Sequence, residues 1–401
     1  MNQFLLASDR LEILRRIECV CLELRSQAMN QNNDSDDDDD NPAPAINLTI
    51  KHPLKEHKTI LTMHSRKGPG KSNITVGQLL RVLRSSYKAI LSGESITLRA
   101  LYYSNRDVFT KQTSSNLAVS LCSQLLCVRR PLMRVFATGR GVVFGPIKMH
   151  DHEGNFISTA ATERSPHGVR IADGLAFTRG LSFETSSVPS LRPKFILVVE
   201  KESAFNKIVE EILQRKKEGK VVAPFVIVSG NGMPSLATRE FLRVLVSHLN
   251  RRDNVPVLGL FDCNPDGMGV MLSYLYTSNS SIKSIGWVQS RSDYTIREMH
   301  WLGVTTRHVE LEAKHRRLSG RDTWQIASGG HSKRDIARFR NLRLHPLLED
   351  NDSVLREMDT MEEKGWKFEI DQLSYCGTIL HLIENARTQR EYFSIGGDVL
   401  E

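Results

Sequence analysis

Four apolar runs in the second half of the chain, spaced by helical stretches, leave few folds open. The runs cover residues 195–199, 225–228, 257–261 and 284–288. Helical patterns at 204–218 and 236–249 separate the first three. Strands that are apolar on both faces need helices on both faces, which is the condition of a parallel sheet in an α/β fold. Four runs predict a parallel four-stranded sheet. Ligands of such sheets gather at the carboxyl ends of the strands, and Glu200, Gly230 and Asp262 fall at those ends. From about 301 to 401 the pattern is mainly helical.

Upstream, residues 75–148 read as three helices and a hairpin. The helices are expected at 76–91, ended by Gly93, at 100–109, and at 115–126. Two short strands follow at 133–137 and 142–146, around Gly139-Arg140-Gly141. That order is a winged helix-turn-helix, whose third helix usually enters the major groove of DNA. Arg129, Arg130, Arg134 and Arg140 lie on or near the expected wing and are the candidate DNA-binding residues. Residues 4–29 have the spacing of an amphipathic helix, with Leu11, Ile13, Leu14, Ile17, Val20, Cys21 and Leu24 near one face. An acidic, Asn-rich stretch at 31–44 follows, too polar to order itself, and reads as a linker. The helix must bury its stripe either on its own protein or on a partner. The domain boundaries expected are 1–45 for this arm, 46–150 for the winged helix, 151–190 for a connecting segment, and 191–401 for the sheet with its helical extension.

The formal charge is +8, although Asp34 and Asp36 to Asp40 gather six negative charges in one run. The rest of the chain is therefore more basic still, which suits a polyanionic partner. A basic surface kept soluble by charge gives the same composition. The cysteines, Cys19, Cys21, Cys122, Cys127, Cys263 and Cys376, form no CxxC pair and offer no zinc-ligand spacing. They read as reduced thiols in an intracellular protein. No apolar run approaches the length of a membrane span, and the N-terminus lacks the basic and apolar regions of a signal peptide.

Two kinds of chemistry stand out. Tyr102 and Tyr103 follow Arg99 by one helical turn. A tyrosine can attack a phosphodiester, but its pKa near 10 makes it a poor nucleophile without a base, a metal or a cation beside it. Arg99, four residues before Tyr103, is placed to supply the cation. A tyrosine pair with no such context is ordinary packing. At the strand ends, Glu200 and Asp262 can meet and hold Mg²⁺, which takes hard oxygen ligands and completes its shell with water and phosphate oxygens. Asn264 offers a further, neutral oxygen, and Asp266 another carboxylate further along the turn. The competing role for an acidic residue after a strand is a helix cap or a turn. The Gly230-Asn231-Gly232-Met233-Pro234 turn allows close backbone approach, either to the floor of the site or to phosphate.

These residues carry a resemblance. Arg99-Ala100-Leu101-Tyr102-Tyr103, Val198-Val199-Glu200-Lys201-Glu202, the Gly230 to Pro234 turn with Thr238-Arg239 after it, and Asp262-Cys263-Asn264-Pro265-Asp266-Gly267 stand in a telling order and spacing. In these the chain resembles the family of Spo11 and the topoisomerase VI A-type proteins. The resemblance covers roughly residues 75–390. It implies a winged-helix, 5Y-CAP-like tyrosine domain followed by a Toprim domain. It implies that Tyr103 attacks a phosphate of double-stranded DNA, is left on the 5′ end and releases a 3′ hydroxyl, with Mg²⁺ at Glu200 and Asp262. It further implies a homodimer, a topoisomerase VI B-like partner subunit reached by the N-terminal arm, and meiotic double-strand breaks made on chromosomes in the nucleus. Two positions depart from the family pattern. Ala100 stands where an acidic residue is common, and Asn264 where the topoisomerases have aspartate, which puts a second metal ion in question. The chain shows no Gly-x-x-x-x-Gly-Lys-Ser/Thr run, so an ATP-driven cycle needs another subunit. Three other activities fit the same residues: the catalytic subunit of a type IIB topoisomerase, a non-catalytic DNA-binding protein, and a metal-dependent nuclease.

Overall fold

The computed structural model describes residues 7–32, 45–51, 58–64, 75–150, 156–159, 168–173, 181–251, 253–278, 287, 290–319, 330–349, 351–374, 379–389 and 393–394. The chain divides into two compact units. One comprises Met1–Thr138, Phe177–Gly180 and Thr277–Arg291; the other comprises Gly139–Ala176, Leu181–Tyr276 and Ser292–Glu401.

The first unit opens with helix Ala7–Asn32, followed by the antiparallel pair β1 (Ala45–Lys51) and β2 (Lys58–His64). Helix Val76–Ser92 begins in a capping box between Thr75 and Gln78 and ends where Gly93 turns left-handed at φ 75°, a conformation that costs glycine least. Then come β3 (Ile96–Thr97), helix Leu98–Tyr103, helix Gln112–Leu126 and β4 (Val135–Phe136). Leu79, Val82, Leu83, Leu101, Phe109, Val119 and Val135 form the core. Ile13, Ile17 and Leu24 of the first helix are buried in that same core. Of the two surfaces the stripe could meet, its own unit thus covers part of it, through helices Val76–Ser92 and Gln112–Leu126, while Leu11 of the same stripe is 66% exposed.

The expected wing is also corrected. β4 pairs in parallel with β3, Ile96 with Val135 and Thr97 with Phe136. It makes no hairpin with the next strand, β5 (Val142–Phe144), which belongs to the second unit and pairs antiparallel with a strand more than eighty residues further on. The reason lies in the residues. Val142, Val143 and Phe144 are all buried, so this strand has no solvent face and needs a covered sheet. Gly139 and Gly141 do not make a hairpin turn. A Cβ at the first would strike the Ile171 carbonyl, and one at the second the Thr238 side chain.

The second unit is built on a mixed sheet. After β5 come β6 (Lys148–His150), β7 (Phe156–Thr159), β8 (Val169–Arg170) and β9 (Ser182–Glu184), then β10 (Ile196–Val199), β11 (Val226–Ser229), β12 (Val257–Leu260), β13 (Met299–Gly303) and β14 (Phe393–Ser394). The sheet has seven strands in the order β14-β13-β12-β10-β11-β5-β8. The four in the middle are parallel, and β14, β5 and β8 add antiparallel edges. β7, β6 and β9 form a separate small sheet. The segment 151–190 is thus more than a connection, and the boundary placed at 150 moves back to Gly139. The fourth apolar run, 284–288, falls outside the described residues except for Trp287. The strand beside β12 is β13, whose Met299, Trp301, Leu302 and Gly303 are buried. Every residue of β10, β11 and β12 is buried. Helices Glu202–Lys217, Leu236–Asn250 and Pro265–Leu275 link the central strands. Among the described residues four more α-helices follow β13, and β14 returns to its edge, laying Phe393 5.5 Å from Trp301 ring to ring.

Candidate active site

The tyrosine site is built on a helix of six residues. Thr97 caps it by accepting from the Ala100 N–H at 3.0 Å. Leu101 faces the core. Tyr102 lies half-buried against that core, and its hydroxyl donates to the Thr110 carbonyl at 3.4 Å. Tyr103 points the other way and is 50% exposed. The two rings sit 5.2 Å apart, tilted by 52°. The Arg99 guanidinium carbon is 5.6 Å from the Tyr103 ring centre, as one helical turn predicts. Arg106 reaches the same ring from beyond the helix end, also at 5.6 Å. Hydrogen bonding to Arg99 and the charge of Arg99, aided by the charge of Arg106, hold the Tyr103 hydroxyl below its usual pKa. The sequence reading missed Arg106, whose only signal was its place three residues after Tyr103.

The candidate DNA-binding arginines part company. Arg129, Arg130 and Arg134 flank or occupy the short turn Arg130–Met133 of the first unit. Arg129 is buried. Arg134 is left-handed at φ 60° and donates through Nε to the Glu94 carbonyl at 2.9 Å. Arg140 is exposed in the second unit, where its carbonyl accepts from Asn231 Nδ2 at 2.8 Å.

The carboxylate site stands at the ends of β10 and β12, which are neighbours in the sheet with Val199 opposite Leu260. That pairing brings Glu200 and Asp262 together across 62 positions, and Glu200 Oε2 accepts from the Asp262 N–H at 2.9 Å. Both are buried, at 6% and 3% exposure. Asp262 Oδ1 accepts from the Ile370 N–H at 2.9 Å. Lys201 Nζ lies 2.8 Å from Asp262 Oδ2 and 2.9 Å from Glu369 Oε2. Burial, and then the charge of Asp262, pushes the Glu200 carboxyl up to about 7. Burial also raises Asp262, against the pull of Lys201 and the Ile370 N–H.

The polar groups of the neighbouring turns are engaged, one with Glu200 and the others elsewhere. Gly232 donates its N–H to the Glu200 carbonyl at 2.7 Å. Asn231, left-handed at φ 54°, also donates to Glu202 Oε2 at 3.0 Å. Asn264 is the N-cap of helix Pro265–Leu275, and its side-chain oxygen accepts from the Gly267 N–H at 2.8 Å. Asp266 is turned to Arg338, 2.8 Å away. Arg239 is buried and donates to the Tyr294 carbonyl at 2.8 Å. Among the described residues no group of three or more His, Cys, Asp or Glu side chains could hold a metal ion. Two carboxylates remain. Their hard oxygens, crowded and desolvated enough to resist ionisation, fit a Mg²⁺ ion that keeps several waters.

Known proteins match both units. The family model for the Toprim domain of Spo11 and of the A-type subunit of topoisomerase 6 matches residues 195–382. The model "Type IIB DNA topoisomerase" matches residues 75–135. The meiotic recombination protein SPO11 of Homo sapiens is 24% identical over 300 residues, 75% of this chain and 67% of that protein. The meiotic recombination protein rec12 of Schizosaccharomyces pombe is 30% identical over 210 residues, 52% of this chain and 53% of its own length. The A3 subunit of DNA topoisomerase 6 from Oryza sativa subsp. indica is 27% identical over 301 residues, 74% of this chain and 59% of that protein. The matched segment thus spans from about half to two thirds of these relatives. The mixed sheet with its parallel centre lies within the segment matched by the Toprim model, and the tyrosine helix within the segment matched by the type IIB topoisomerase model. This chain belongs to the family of Spo11 and the topoisomerase 6 A-type proteins.

Proposed function

We propose that this chain initiates meiotic recombination by cutting double-stranded DNA through transesterification at Tyr103. The observation that carries the reading is the exposed Tyr103 hydroxyl, held below its usual pKa between two guanidiniums. A phenol so placed is a better nucleophile at neutral pH than an ordinary tyrosine. Tyr103 Oη forms a bond to phosphorus, the bond from phosphorus to the 3′ oxygen breaks, and the protein stays on the 5′ end. The phenol proton leaves to water and the departing 3′ oxygen takes one up. Arg99 holds the phenol and meets the phosphate with a planar fork of donors. Glu200 and Asp262 would hold Mg²⁺, which supplies charge neutralisation at the phosphate. Lys201 and the Ile370 N–H keep Asp262 in place for that task. The Asn264 oxygen is left out of the ligand set because it caps a helix.

Two chains are needed for a double-strand break, and a homodimer supplies two tyrosines and two carboxylate pairs. A topoisomerase VI B-like subunit is the proposed protein partner, and chromosomes in the nucleus the place of action. The name of the rice relative, a component of DNA topoisomerase 6, supports a second reading, a type IIB topoisomerase that reseals its breaks. The test is recovery of labelled DNA under denaturing conditions. Covalent protein on 5′ ends is expected from the unsubstituted chain, a milder loss from Tyr102→Phe, and none from Tyr103→Phe. An adduct that survives in Tyr103→Phe overturns the assignment. Strand passage with ATP and a B-type partner would favour the second reading.

A further inference from the structure

The chain leaves its helix immediately after Tyr103, and the turn that follows is held at three points. Asn105 is buried, and its Nδ2 donates to the Leu101 carbonyl at 2.7 Å. The Asn105 carbonyl accepts from the Val108 and Phe109 N–H groups at 3.1 and 2.9 Å, and the Phe109 ring is sunk in the core. Asp107, next along, pairs with Arg81 at 2.8 Å. Arg106 stands exposed between these anchors, with its guanidinium directed to the Tyr103 ring. Arg99 reaches the ring from the helix. Among the described residues the charges acting on the phenol are those of Arg99 and Arg106. The carboxylate beside Arg106 is engaged elsewhere, and the residue after Arg99 is Ala100. Two guanidiniums beside a neutral phenol gain only the weak attraction of the ring face against their mutual repulsion, whereas a negative charge on the phenol oxygen is stabilised by both.

We propose that Arg106 is a positioning residue that shares with Arg99 the negative charge at Tyr103, as phenolate before attack and as a phosphodiester oxygen of DNA during it. The inference rests on the reading of Tyr103 as nucleophile, but adds to it a residue outside the Arg99 to Tyr103 segment. It gives the turn after the helix a purpose: buried Asn105 and Phe109 and the surface pair Arg81–Asp107 hold the backbone from which one exposed side chain reaches the phenol. The lowered Tyr103 pKa, caused in part by Arg106, agrees with it.

The test separates this inference from the reading beneath it. Tyrosine ionisation in the full chain, free of DNA and metal, is followed by NMR of ¹³C-labelled tyrosine, with Tyr103→Phe identifying the signal. Arg106→Ala is expected to move the Tyr103 titration upward, and Arg106→Lys, which keeps the charge, to restore most of it. With DNA and Mg²⁺, Arg106→Ala is expected to slow adduct formation severalfold near pH 7, with a deficit that shrinks as pH rises and the phenol ionises unaided. A Tyr103 titration unchanged in Arg106→Ala overturns the proposal, as does failure of Arg106→Lys to restore it. If the unsubstituted chain forms no adduct while Arg106 shifts the titration as expected, the failure falls on the proposed function and the Arg106–Tyr103 coupling stands.

Discussion

The tyrosine site and the carboxylate site handle charge by opposite means. Tyr103 is half in water, and exposed cations draw its hydroxyl toward ionisation. Glu200 and Asp262 are almost wholly out of water, and burial pushes both away from ionisation. The first site makes an anion easier to form. The second makes two anions costly to keep, so that a cation is favoured there. Lys201 supplies one positive charge, and a divalent ion would supply more. If the proposed roles hold, one chain prepares its nucleophile and its metal site from common side chains, using exposure in one place and burial in the other.

The largest effect expected from this contrast is at the carboxylates. Glu200→Gln and Asp262→Asn should each reduce DNA cleavage to background in an adduct assay, because each removes half of the charge available to Mg²⁺. Their stabilities should differ. In Glu200→Gln the new amide oxygen can still accept from the Asp262 N–H, whereas Asp262→Asn takes a charged partner from Lys201. The sign of the pH dependence follows from Glu200, whose folded value of about 7 lies above its usual 4.5. Its contribution to stability is present in full below the unfolded value and is lost as pH rises through the folded one. In metal-free buffer, Glu200→Gln should therefore exceed the unsubstituted chain at pH 8 by on the order of 2 kcal/mol in urea unfolding, and by almost nothing at pH 4. Equal stabilities at pH 8 would break the buried half of the comparison.

The next effect concerns salt. Charges in water are screened over about 10 Å at 0.1 M and about 3 Å at 1 M ionic strength, and buried ones much less. Raising KCl from 0.1 to 1 M should thus move the Tyr103 titration upward, toward its ordinary value. The pH at which Glu200→Gln gains its advantage should stay nearly fixed, because burial is the first cause of the Glu200 shift. If both move alike, the two sites do not differ in kind.

The sequence announced the parts of these sites that depend on short spacing. Arg99 and Tyr103 are one helical turn apart, and the runs of β10, β11 and β12 carry enough apolar residues to declare buried strands with Glu200 and Asp262 after them. What stayed hidden depends on pairing between distant segments. Val142, Val143 and Phe144 look the same whether they turn back on β4 or join β11, and only the second covers both faces. β8 and β14 have two residues each, too short for any periodicity. β13 was overlooked for the run at 284–288, although Met299, Trp301 and Leu302 are as apolar. The arm at 7–32 shows its stripe plainly, but a stripe does not say which surface covers it. Ile370 and Glu369 reach Asp262 and Lys201 from more than a hundred residues downstream, through the bridge between Cys263 and Phe368, and no local pattern marks them.

The smallest effect is expected at Asn264. Asparagine and aspartate cap helices about equally well, so Asn264→Asp should keep the bond to the Gly267 N–H and leave stability near neutral pH within about 1 kcal/mol. It adds a negative charge beside two carboxylates that burial already penalises. Without metal this should raise the pH needed to ionise Glu200. With Mg²⁺ it should tighten binding modestly, because the added negative charge lies near the ion, although the cap bond keeps its oxygen out of the ligand set. Isothermal titration with Mg²⁺, run on the unsubstituted chain and on Asn264→Asp, reads this directly. A large gain would mean that the cap bond yields to the metal and that Asn264 already lies within its reach. An unchanged affinity would mean that the cap holds the side chain away from the ion, leaving Glu200 and Asp262 as the whole of the protein's contribution.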